Sequence, residues 1–279
     1  MELKVFAFAD EASPMLDGQI AAMKRNGLRG MEIRGVDVEN ISSISMAKAR
    51  EVRLKLDDAG LVVWSIDSPI GKIDIERDDF GRHLDTLRHT LEIADVLGVK
   101  NLRVFSFFMP MGKNPDKYKQ AVMDRMGEML REAKDAGVTL CHENEKGIYG
   151  DNAGRCAEIL RLYPDIKGVF DPANFVQCGQ DTWEAWELLK PYIKYLHIKD
   201  ALSDGSVVPA GKGVGRIKKI LDAYRAMGGS VVTIEPHLKV FSGLAELERD
   251  GEHSNVGLYS FESSDAAFDA ACAALKKVM

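Results

Sequence analysis

Eight short apolar runs recur along this chain, and the stretches between them narrow the choice of fold sharply. The runs read LKVFAFA, GMEIRG, LVVWSID, NLRVFSF, VTLCHE, GVFD, YLHIK and VVTIE, starting near positions 3, 30, 61, 101, 138, 168, 195 and 231. They are rich in β-branched and aromatic residues and too short for helices, which fits strands covered on both faces, as in a parallel sheet. Amphipathic stretches of helical period lie between them. MAKAREVRLKLDDAG stops at Gly60, FGRHLDTLRHTLEIADVLG at Gly98, DKYKQAVMDRMGEMLREAKDAG at Gly137 and RIKKILDAYRAMGG at Gly228. Glycine just past a helix and leading into a strand is a C-cap signal. A last helix is expected over SSDAAFDAACAALKKV. Eight strand–helix units in order predict an α/β fold, a (β/α)₈ barrel, with residues 1–279 as a single domain. The competing open, doubly wound sheet commonly carries a GxGxxG turn after its first strand, whereas here that strand runs into ADEASP.

Four consecutive strand candidates in the second half each stop on a side chain able to bind a metal: Glu143, Asp171, His197 and Glu235. Their spacings are 28, 26 and 38 residues, each about one strand–helix unit. In a parallel barrel all strand C-termini open on one face, so these residues are expected to converge there. Taken singly, each carboxylate could be a helix cap or loop residue and the histidine a satisfied core residue. Taken together, three carboxylates in a partly buried site would repel one another, and a divalent cation offsets that charge. An oxygen-rich set with one imidazole suits such an ion. Converging acids also occur without metal in glycosidases, but these do not need the imidazole in line.

The formal net charge of −6 gives no steering toward nucleic acid or an anionic membrane. No apolar stretch approaches the ~18 residues of a membrane span. The N-terminus, MELKVFAFADEAS, lacks the charged and apolar regions of a secretory signal, so a cytoplasmic protein is expected. Cys141, Cys156, Cys178 and Cys272 form no CxxC pair, and free, mostly buried thiols are expected.

Other residues stand close to the ligand set. Lys199 follows His197 by two, so on a strand both side chains point to one face; it would bind a substrate hydroxyl or an oxyanion, or else be a surface lysine paired with Asp200. Asn174, three after Asp171, would hydrogen-bond a substrate or form an Asx turn. Glu145 would bind hydroxyls or hold His142, and Lys72 would reach over the barrel mouth. GKGVGRIKK, with Lys212 and Arg216 near a helix start, fits either an anion site or a solvated loop. Residues 237–260 are poorly periodic and are expected to form a loop edging the site.

The motifs HENEKG (142–147), FDPANF (170–175), YLHIKDA (195–201) and TIEPH (233–237) resemble those of the xylose isomerase-like, or AP endonuclease family 2-like, TIM barrels, which include many sugar phosphate isomerases and epimerases. SPIGK (68–72) and GKGVG (211–215) extend the resemblance over essentially the whole chain. It implies one divalent ion (Mn, Co, Mg or Zn) held by Glu143, Asp171, His197 and Glu235. It also implies a small sugar or polyol substrate, with Glu143 and Glu235 moving protons through an enediolate, one removing a proton and the other returning one on the opposite face. Three positions depart from the ketose 3-epimerases of the family: Tyr195 and Asn174 stand where those have histidines, and Ser203 where they have an arginine. A keto-inositol or polyol dehydratase and an aldose–ketose isomerase would use the same four ligands. A non-catalytic sugar-binding barrel is a further alternative. A DNA-repair endonuclease of the same superfamily would need a three-zinc cluster with several more strand-end histidines, and His83 and His89 fall in a helical stretch expected to lie away from the mouth. Barrels of this kind often pair through helices or loops, so a homo-oligomer is one expectation.

Overall fold

A computed structural model describes residues 2–241, 256 and 258–279, and eight parallel strands in it close into a barrel. These are β1 (Lys4–Ala7), β2 (Gly30–Ile33), β3 (Val62–Asp67), β4 (Asn101–Val104), β5 (Thr139–Glu143), β6 (Lys167–Phe170), β7 (Ile193–Ile198) and β8 (Val231–Ile234). Each pairs with its neighbours in sequence, and β8 closes the ring on β1 with Val231 opposite Lys4. All eight apolar runs are therefore barrel strands. Register shifts fall at Met31/Glu32 against β3 and at Gly168/Val169 against β7.

The helices outside the ring are α1 (Leu16–Arg25), α2 (Met46–Ala59), α3 (Phe80–Leu97), α4 (Lys119–Asp135), α5 (Ala153–Leu162), α6 (Pro172–Gln177), α7 (Thr182–Leu189), α8 (Ile217–Ala226) and α9 (Ser264–Val278). Their starts follow capping chemistry: Ser45, Asp79, Asn152 and Ser263 each accept a hydrogen bond from a backbone N–H in the first turn. Gly60 and Gly98 end α2 and α3 in the left-handed conformation, as the sequence pattern predicts. The stretch from residue 116 departs from the expected uniform helix. Pro115–Tyr118 is a 3₁₀ turn, and the α-helix begins only at Lys119. Two small hairpins, Gly35–Val36 with Glu39–Asn40 and Asp200–Ala201 with Val207–Val208, stand outside the eight-unit pattern. Of the loop expected over 237–260, residues 242–255 and 257 lie outside the described residues.

Two apolar cores result from the closure. The larger packs helices onto the outside of the ring. The smaller contains Phe6, Cys141, Val169, Tyr195 and Val231 with Trp64 against them, drawn from six different strands. Residues of opposite strands touch only inside a barrel, so this group is an internal plug. Phe6 stacks on Trp64 at 5.7 Å between ring centroids, and Trp64 meets Tyr195 edge-on at 5.9 Å. Because side chains alternate along a strand, the residues two positions further on, Glu143 after Cys141 and His197 after Tyr195, sit directly above the plug. Cys141, Cys156 and Cys272 are buried and Cys178 is exposed. No helix among the described residues is long and apolar enough to cross a membrane.

Candidate metal centre and active site

The strand ends bring the four expected ligands together. One ligand atom from each of Glu143, Asp171, His197 and Glu235 lies within 4.8 Å of the others, and none of the four residues is more than 5% exposed. Glu143 closes β5, Asp171 and Glu235 follow β6 and β8 directly, and His197 lies near the end of β7. His197 Nδ1 is 2.7 Å from Glu143 Oε1 and 3.1 Å from Glu235 Oε2. Asp171 also serves as a helix cap, because its Oδ1 accepts the Asn174 N–H at 2.9 Å at the start of α6. Its backbone is clasped by Asn144, whose side chain accepts from Asp171 N at 3.0 Å and donates to Asp171 O at 2.9 Å.

Lys199 shares the face of His197, as strand alternation requires, and is buried rather than exposed. Its Nζ is 2.9 Å from Glu235 Oε1 and 3.0 Å from Asp171 Oδ2, so its partners are two of the ligand carboxylates and the pairing with Asp200 does not form. Asn174 donates its side-chain N–H to Asn144 O at 2.9 Å, which completes the clasp around Asp171. Glu145 pairs with Lys72 at 3.3 Å and does not hold His142, whose Nε2 meets Ser106 Oγ at 2.9 Å on the outer side of the ring. Lys72 Nζ also lies 4.5 Å from the centre of the Phe105 ring, and the Arg103 guanidinium lies 4.1 Å from the same ring.

The electrostatics show a cluster that calls for positive charge. Burial raises Asp171 to about 8, with Glu235 and Glu143 adding to the rise against the pull of Lys199. For Glu143 burial also opposes ionisation, but His197 and Arg103 overcome it and hold the carboxyl at about 2. His197 is raised well above the ordinary imidazole range, because Glu143 and Glu32 outweigh its burial. Asp171 Oδ2 and Glu235 Oε2 are buried and accept no hydrogen bond of good geometry, although Lys199 and His197 stand near them. Three carboxylates, two of them with such an oxygen, and one imidazole are a donor set that fits a divalent cation.

Sequence reasoning missed several charged residues around this set. Arg103 on β4 sits between two carboxylates, with Nη1 2.6 Å from Glu143 Oε2 and Nε 2.6 Å from Asp67 Oδ1. Glu32 on β2 reaches His197 Nε2 at 3.1 Å. Glu11, Arg34 and His237 form a neighbouring group, in which His237 Nδ1 is 3.0 Å from Glu11 and 3.4 Å from Glu235. A signal was present: GMEIRG and NLRVFSF carry a charge inside an apolar strand run, and LVVWSID is a fifth strand that closes on a carboxylate.

Two further expectations are corrected. The GKGVG loop does not present its amides to an external anion. The Asp200 carboxylate accepts the N–H groups of Gly211, Gly213 and Gly215 at 2.9, 3.0 and 2.9 Å, and Arg216 pairs with Asp181 at 2.8 Å. His83 is not remote from the mouth. From α3 its Nε2 accepts the Gly71 N–H at 2.8 Å and so pins the loop that carries Lys72. His89, on the same helix, bonds Ile44 O at 2.9 Å, and His253 lies outside the described residues.

His83 gives a pH prediction. Burial, resisted by Asp78 and reinforced by nearby Arg125, lowers it to about 4. The folded state then binds fewer protons than the unfolded chain between the ordinary histidine value of ~6.5 and about 4. Its contribution is fully present above that ordinary value and is lost as pH falls through the window. The effect is on the order of 2–3 kcal/mol at most. His83→Gln, which can still accept from Gly71 but does not titrate, is expected to flatten this part of the stability–pH curve. Urea unfolding of both proteins between pH 7 and 4 checks it, and parallel curves contradict it.

Known structures share this architecture. The IolI protein with a bound zinc atom is 17% identical, with a TM-score of 0.76 over 100% of this chain and 98% of that one. L-ribulose 3-epimerase is 18% identical, with a TM-score of 0.75 over 100% and 94%. A probable 3-DHS dehydratase from Bacillus anthracis is 14% identical, with a TM-score of 0.74 over 99% of both chains. At these identities the likeness is one of fold. No curated protein sequence gives a significant match. The sequence model of one family does match, over residues 20–254. With the closed barrel and the candidate ligands at its strand ends, that match places the chain: it belongs to the xylose isomerase-like TIM barrel family.

Proposed function

We propose that this protein is a divalent-metal-dependent isomerase or epimerase of a sugar or sugar-like polyol, in which Glu143 and Glu235 transfer protons. The observation that carries the reading is the convergence of Glu143, Asp171, His197 and Glu235 within 4.8 Å at the ends of four consecutive strands. A divalent cation held by these four would supply positive charge to the oxyanion left when a carbon beside a carbonyl loses its proton. Glu143 and Glu235 are both held below the ordinary carboxylate range, burial notwithstanding, by His197 with Arg103 and by Lys199 with His237 respectively. Each is thus able to accept a proton; in a turnover one removes the substrate proton, and the other, having gained a proton from solvent, returns one on the opposite face. Lys199, Asn174, Glu145 and Lys72 are the proposed substrate contacts. Lys199 would offer donors to substrate oxygens, and the Lys72–Glu145 pair would meet hydroxyls from the Phe105 side.

A second reading, a dehydratase of a keto-inositol or related polyol, is favoured by that same Lys72–Glu145 pair, which offers a proton donor for a departing hydroxyl. One experiment separates the two. Purified protein is analysed for bound metal and then incubated in deuterated water with a panel of ketoses and inososes. An isomerase or epimerase places deuterium on one carbon without loss of mass, whereas a dehydratase yields a product lacking one water. Neither change on any substrate, with a stoichiometric metal present, would favour a non-catalytic sugar-binding barrel.

A further inference from the structure

His197 is held from both ring nitrogens. Nδ1 faces Glu143 and Glu235, and Nε2 lies 3.1 Å from Glu32 Oε2. The other oxygen of Glu32 accepts the Tyr195 hydroxyl at 2.6 Å. All three side chains are buried, and the Phe8 ring stands edge-on to the imidazole at 5.1 Å. Glu32 follows the register shift of β2 against β3, a local irregularity of the kind that re-aims a strand side chain.

An imidazole offers a cation one nitrogen, and the partner of the other nitrogen decides which. Glu32 already accepts the Tyr195 hydroxyl on one oxygen, and its other oxygen, 3.1 Å from Nε2, is placed to accept an N–H from that nitrogen. A cation that displaces the Nδ1 proton would then meet the Nδ1 lone pair directed at the cluster of Glu143, Asp171 and Glu235. Tyr195 occupies the second oxygen of Glu32 and stops the carboxylate from turning away. We infer that Glu32, locked by the Tyr195 hydroxyl, is a positioning residue that fixes the tautomer and direction of His197 for a cation at Nδ1. The inference rests on the metal-binding reading above.

Glu32, Asp67 and His197 also bring ligand-type atoms within 4.8 Å of one another. Their charge is already answered: both Glu32 oxygens are engaged, and Arg103 Nε lies 2.6 Å from Asp67 Oδ1. Both Asp67 oxygens lack a hydrogen bond of good geometry, so the titration below also distinguishes a supporting role for this group from a second cation site.

The test is titration of chelator-treated protein with Co²⁺, following affinity by calorimetry and coordination by visible absorption. The wild type is expected to bind one equivalent. Glu32→Gln is expected to bind one equivalent about 10–100-fold more weakly, with an altered spectrum, because the amide can donate to Nε2 and allow the wrong tautomer. Tyr195→Phe keeps the acceptor but frees it to turn, so a smaller loss in affinity is expected. One equivalent bound with unchanged affinity and spectrum in Glu32→Gln overturns this inference and leaves the metal reading standing. A second equivalent that disappears in Glu32→Gln overturns it in favour of a second cation site. No binding by the wild type overturns both readings. Should Glu32→Gln not fold, Tyr195→Phe decides, and unchanged affinity and spectrum there overturn the inference.

Discussion

Glu235→Gln is expected to slow inversion or isomerisation by about 10²–10⁴-fold, the usual contribution of a positioned acid–base group. Glutamine keeps the volume, and its carbonyl can still accept the Lys199 ammonium, which lies 2.9 Å from Glu235 Oε1. What it loses is the ability to carry a proton. If Glu143 is the other base, proton exchange with solvent persists in this variant from the epimer whose hydrogen faces Glu143, but the configuration does not change. Deuterium incorporation measured separately for each epimer, with metal content checked in the same samples, reads both quantities. Inversion at the wild-type rate would remove Glu235 from the chemistry. Loss of both inversion and metal would show that Glu235 acts chiefly as a ligand.

The largest expected effect on stability is at Arg103. Its guanidinium is buried between Asp67 and Glu143, with 2.6 Å contacts to each. Arg103→Met keeps the bulk but leaves two buried carboxylates without their cation. Breaking a buried pair in this way typically costs about 3–5 kcal/mol, and for a chain of this size that lowers the melting temperature by roughly 10 °C. Burial already raises Asp67 to about 8, with Arg103 opposing the rise. Without Arg103 the carboxyl stays protonated to still higher pH, so the deficit should shrink on acidification. Thermal melts at pH 6 and pH 9 test both statements. A shift of less than about 1 kcal/mol at pH 9 would show that solvent or rearrangement replaces the guanidinium.

How much of this was legible in the sequence depends on what each residue answers to. The barrel strands are set by local composition and the helix ends by glycine and capping side chains, so both can be read one segment at a time. The four candidate ligands were legible because they obey one rule, a polar group at the end of an apolar run. Glu32 and Arg103 break the apolar runs from within, and only closure of the ring shows that they point inward and what they meet. The partners of Glu145 and Lys199 were missed for a related reason. Nearby positions suggested His142 and Asp200, but the true partners come from a loop and strand ends far away in sequence. The GKGVG loop fitted either an anion site or a solvated loop in the sequence, because its glycines were visible and the residue that fills it, more than ten positions earlier, looked like an ordinary strand-end aspartate.

That filled cradle also bears on how substitution data for such a chain should be read. A Cβ at Gly213 or Gly215 would collide with the Asp200 carboxylate, and Asp200 itself is anchored by four backbone amides next to Lys199. In a saturation screen these positions would tolerate almost nothing and so resemble a ligand-binding fingerprint. Their intolerance would record the assembly of the loop that places Lys199, and a phosphate group on the substrate would leave no trace in it.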